Sequence, residues 1–154
     1  MSGWGPHRAR QADKSFGFLF RLFFFEKRTK KLLRVARLGG KRALALSIRA
    51  RGPDQEDSLW IEGNLADDYL NAGDLAHAEA IDRDVVARGE KLFTHGEWDL
   101  PRFRCLLGEI LAHEGKTAEA KALLTPGVAA LRAAVGADSA DTRRAQTALA
   151  ALGG

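Results

Sequence analysis

Between residues 56 and 152 the apolar positions keep a helical period and then repeat it. Leu65, Ala66 and Tyr69 make one apolar stripe. Leu107, Gly108 and Leu111 make the next, a step of 42 residues from Leu65 to Leu107, and Leu149 begins a third. The same step carries Gly73 to Gly115, Ala76 to Ala118, Ala78 to Ala120 and Ala80 to Ala122 without a gap. Asp57, Asp99 and Asp141 coincide in the connecting loops. The pattern predicts helices near 56–71, 75–93, 98–113, 117–135 and 139–152, and a further helix at about 41–51 that ends at Gly52 and Pro53.

The helix ends have chemical signatures. Gly73 and Gly115 fit a left-handed helix C-cap, where other residues meet a steric penalty. Asp57 and Asp99 stand where an N-cap or first-turn acid is favoured. Pro101 falls in a first turn, where a missing N–H matters little. Pro126, beside Gly127, falls inside 117–135 and predicts a kink or a break. Alanines three, four and seven apart on the second helix of each pair suit close helix contact.

These residues resemble the tetratricopeptide repeat family, in the longer-unit variety of kinesin light chains. The family's small, aromatic, glycine and alanine spacing is met by Ala66, Tyr69, Gly73 and Ala78, and again by Gly108, Leu111, Gly115 and Ala120. The loops 52–57 and 136–141 look like that variety's interrepeat loops. The resemblance covers about 42–152 and implies an all-α fold, an α–α superhelix of stacked antiparallel helix pairs. Physics supports the same stack without the name. One helical pair cannot cover its own apolar face, so neighbours share a core. Asp82 departs from the pattern where a large apolar residue is usual, and so does Gly127 late in its helix.

Opposite the apolar stripes lie Trp60, Asn64, Asp67 and Asn71, then Arg102, Cys105, Glu109 and His113, then Arg144 and Thr147. The resemblance implies that such positions line a concave groove for a peptide segment, and that Asn64 bonds peptide backbone. An amide supplies both a donor and an acceptor, so it can read a main chain of any sequence. Arg102 and Arg144 could grip a carboxylate in bidentate fashion. A plain solvated face is the competing reading, since every surface helix has a polar side. The expected function is a protein-binding adaptor or scaffold whose partner is a protein or peptide.

Charge changes the picture at one end. Residues 1–52 hold 14 Lys+Arg and 2 Asp+Glu, a balance of +12, while 53–154 hold 10 and 18, a balance of −8. The chain therefore reads as a basic, phenylalanine-rich leader at 1–40 and a helical repeat domain at 41–154. The stretch 14–38 contains Phe16, Phe18, Phe20, Phe23, Phe24 and Phe25, followed by Lys27, Arg28, Lys30, Lys31, Arg34 and Arg37. It can be read as a helical cap on the first repeat, as a loosely ordered tail, or as a helix on an anionic membrane surface. Attachment to membrane or nucleic acid through this segment is the alternative function, with nucleic acid the weaker case. A chain that is the regulatory tail of a larger protein is a further alternative.

Catalytic chemistry is not indicated. His7, His77, His95 and His113 form no two-histidine ligand spacing, and Gly39-Gly40-Lys41 is too short for a phosphate loop. Cys105, the single cysteine, has no fixed base beside it. No metal, cofactor or small-molecule substrate is expected, and a lone cysteine suits a cytoplasmic setting.

Overall fold

The structure, a computed structural model, describes residues 31–93 and 99–153. Residues 1–30, with the leader's six phenylalanines, and the loop positions His95 and Trp98 lie outside the described residues. The chain divides into two units, Met1–Val35 and Ala36–Gly154. Of the first, 31–35 are described and are helical.

The second unit is helical throughout its described elements. Residues 36–51 form α1. Then come α2 (Glu56–Asn71), α3 (Leu75–Leu92), α4 (Asp99–His113), α5 (Thr117–Val135) and α6 (Ala140–Ala151). The expected helix start at 41 is too late, because the chain is already helical at 31. Packing accounts for the passage through Gly39 and Gly40. A Cβ on Gly40 would lie 3.5 Å from Leu65, and Arg37 and Lys41 sit over the Tyr69 ring at 5.2 and 5.6 Å.

Local chemistry sets the ends. Gly73 and Gly115 take φ of +75° and +78°, and the chain turns there into the next helix. Asp74 caps α3 by accepting from the His77 N–H, and Ser139 caps α6 by accepting from the Thr142 N–H. Pro101 lies in the first turn of α4. Of the kink or break expected at Pro126, the break does not occur, and α5 runs through it. Pro126 and Ala122 are both on the exposed side of α5.

Neighbouring helices pair as α2 with α3 and α4 with α5, and α6 closes on α5. α2 also meets α4, and α4 meets α6, whereas the backbones of α3 and α5 stay apart. Long side chains bridge that outer gap, with Arg83 of α3 donating to Glu119 of α5 at 3.0 Å. The first helices thus crowd together on one side while the second helices splay on the other, which is the geometry of a curved stack.

The core lies between these layers. Leu59, Phe103, Leu111, Leu124 and Leu131 are fully buried in one cluster, and Leu65, Ala66, Tyr69 and Ile110 form a second. Full burial of one such side chain is worth about 1.5–3 kcal/mol. Small residues let the helices approach. A Cβ on Gly63 would lie 2.4 Å from the Phe103 ring, and one on Gly108 would lie 2.7 Å from Leu124. Of the alanines in register, Ala78 and Ala120 are fully buried, while Ala76, Ala80, Ala118 and Ala122 are exposed. The close contact therefore rests on one alanine per pair and on glycines of the facing helix.

Candidate functional site

The polar sides of α2, α4 and α6 share one face, because these are the helices that meet on the crowded side of the stack. Arg144 of α6 organises it. Its Nη1 and Nη2 donate to Asp67 of α2 at 3.0 and 2.6 Å, and its Nε donates to Glu109 of α4 at 2.7 Å. Asn71, one turn after Asp67, donates to the same carboxylate at 3.2 Å. Three helices are tied by one planar guanidinium, whose rigid fork suits two carboxylates at once.

Arg102 forms the second centre. Its Nη2 donates to the Asn64 side-chain oxygen at 2.9 Å, its Nε lies 3.7 Å from Asp141, and its guanidinium stacks over the Trp60 ring at 4.5 Å. This cation–π contact holds a charged head against an aromatic face at the edge of the core. Asn64 is exposed, so its amide remains presented to solvent on the other side.

An open cavity of about 380 Å³ lies between α4 and α6 at one end of this face. Ala112, Ala148 and Leu152 give it an apolar floor, and Glu109, His113, Arg144 and Thr147 stand around it. Thr147 donates to the Arg143 carbonyl one turn back, and His113 is exposed. A much smaller space of about 20 Å³, room for one water, lies between Arg102 and Arg144.

The structure therefore brings Trp60, Asn64, Asp67, Asn71, Arg102, Glu109 and Arg144 into one connected set, with His113 and Thr147 beside the adjoining cavity. Cys105 lines the small space between Arg102 and Arg144 but is closed off from solvent. It was expected on the polar side, but it is 5% exposed and packs on α5, where a Cβ on Gly127 would lie 2.5 Å from its Sγ. Burial pushes its thiol up to about 12. Helical spacing alone left the difference between an inward and a buried position to one step of rotation.

Asp82 was legible as a departure but its meaning was not. It is fully buried on α3, and neither carboxylate oxygen has a hydrogen-bond partner. Burial raises its pKa well above the ordinary value, opposed by Arg102 and assisted by Asp67. It lies behind the polar face, where burial favours the neutral acid over the charged one, since an unpaired buried charge is costly.

Residues 63–94 match the family model described as Tetratricopeptide repeat. This segment spans the end of α2, the Gly73 turn and all of α3. The chain carries a tetratricopeptide repeat. Tetratricopeptide repeats form a non-catalytic, protein-interacting fold that stacks helix pairs, as α2 to α6 do here. No curated protein matches the chain. Among the described residues no helix is long and apolar enough to cross a membrane.

Proposed function

We propose that the chain is an adaptor that holds an extended or helical peptide segment of a partner protein along the face of α2, α4 and α6. The observation that supports this reading is the convergence of the polar sides of three non-consecutive helices beside an open, apolar-floored cavity. Such convergence needs the whole stack, and a set of separate solvated helix faces would not form it. Asn64 offers an amide to a main chain, and His113 and Thr147 offer further polar groups next to the cavity. A peptide held this way would bind at about micromolar strength, near −8 kcal/mol.

The test is recovery of partner proteins by the native chain and by the double variant Asn64→Ala, Arg102→Ala. Recovery should fall sharply for the variant while its helical circular dichroism is kept. Undiminished recovery with the fold intact would remove this face from the account.

A further inference from the structure

Resting on the reading of this face as a peptide groove, we infer that its α4–α6 end takes a cationic side chain, a lysine or arginine of the partner segment. The fixed charges on the face do not cancel. Asp67, Glu109 and Asp141 stand against Arg102 and Arg144. Arg144 directs its hydrogen bonds at both Asp67 and Glu109, so the cluster of these three groups, whose Glu109 borders the cavity, carries one net negative charge. Arg102 is occupied by Asn64, Asp141 and the Trp60 ring.

Glu109 uses Oε2 for Arg144 and borders the cavity. Below it the floor is Ala112, Ala148 and Leu152, in a space of about 380 Å³. A lysine or arginine has the matching build, an apolar stem that packs on such a floor and a charged head that reaches the carboxylate. A carboxylate ligand meets the reverse. It would have to displace Asp67 or Glu109 from Arg144, and the displaced acid would then repel it. The arginines of this face therefore serve to set its acids in place.

Selection from a random peptide library on the full chain reads this directly. Peptides enriched in lysine and arginine beside apolar residues are expected. The best of them should bind Glu109→Gln about tenfold more weakly, and should weaken as salt is raised. Ala151→Phe fills the cavity from an exposed position away from the ion pairs, and should give a similar loss even where Glu109→Gln perturbs folding. Selection of acidic peptides, or of neutral ones indifferent to both variants, overturns this inference. If those peptides still lose binding to Asn64→Ala, Arg102→Ala, the groove itself stands. Selection of no peptide overturns both readings.

Discussion

Arg144 on α6 and Asp67 on α2, 77 residues apart, are joined by two hydrogen bonds of 3.0 and 2.6 Å. They connect the first and third inner helices of the stack, whose backbones do not touch. Arg144→Lys keeps the charge but loses the fork. Because Arg144 is 39% exposed, the loss should be modest, about 1 kcal/mol, and smaller at high salt. Urea unfolding of Arg144→Lys at two salt concentrations checks this. A variant as stable as the native chain at low salt would mean that the fork does not hold the helices.

Asp82 makes stability depend on pH. Burial raises its pKa, so the folded chain holds this proton more tightly than the unfolded chain. The stability that comes from this difference is fully present below the unfolded value of about 4 and is lost as pH rises towards the folded one. Asp82→Asn has no such proton to lose. Its stability relative to the native chain should therefore climb above pH 4 and then level, reaching about 1 kcal/mol or more at neutral pH. Parallel urea titrations across pH check it, and a difference that is flat with pH would contradict it.

Gly127 and Cys105 form a tight contact between α5 and α4, with 2.5 Å from a built Cβ to the Sγ. Gly127→Ala should destabilise by about 1–3 kcal/mol through overpacking. In a Cys105→Ala background the Sγ is gone, and the same substitution should be neutral or stabilising by up to about 1 kcal/mol, since alanine favours helix. A double-mutant cycle measures this coupling directly. Additive effects would show that the two residues do not meet.

The thiol of Cys105 should also be unreactive while the chain is folded. It is 5% exposed and raised to about 12. At pH 8 it should carry about a thousandfold less thiolate than an ordinary cysteine, so alkylation should follow unfolding. Rapid alkylation of the folded chain would contradict the α4–α5 packing.

Ala120 is fully buried where α5 meets α4, and its backbone oxygen would lie 3.3 Å from a Cβ on Gly108. Ala120→Asp should destabilise by about 3 kcal/mol or more, because the carboxylate would be unpaired in a tight helix contact. Ala78→Asp should behave alike. Near-normal thermal unfolding of either variant would argue against the stacking.

Much of the fold was legible before any coordinates. The step from Gly73 to Gly115 located both left-handed turns, and the helix bounds follow within a residue or two wherever caps are present. The start of the first helix was missed because Gly39 and Gly40 weaken the local signal, and packing on Leu65 and Tyr69 overrides it. Pro126 suggests a kink or a break by local rules, yet α5 stays continuous through it. The candidate site was legible as a polar stripe on three helices. Its internal pairing was not, since Arg144 could as well have faced an empty groove.

Sequence alone determined the helices, their turns and the repeating register, because these follow from contacts three and four residues apart and from glycine's access to positive φ. Tertiary structure alone decided which charges meet. Asp67, Glu109 and Arg144 come together only once two hairpins and α6 are stacked, and Asp82 and Cys105 turn inward by the rotation that packing imposes on their helices. Those are long-range choices of orientation, and local periodicity carries no information about the rotation of one helix against another.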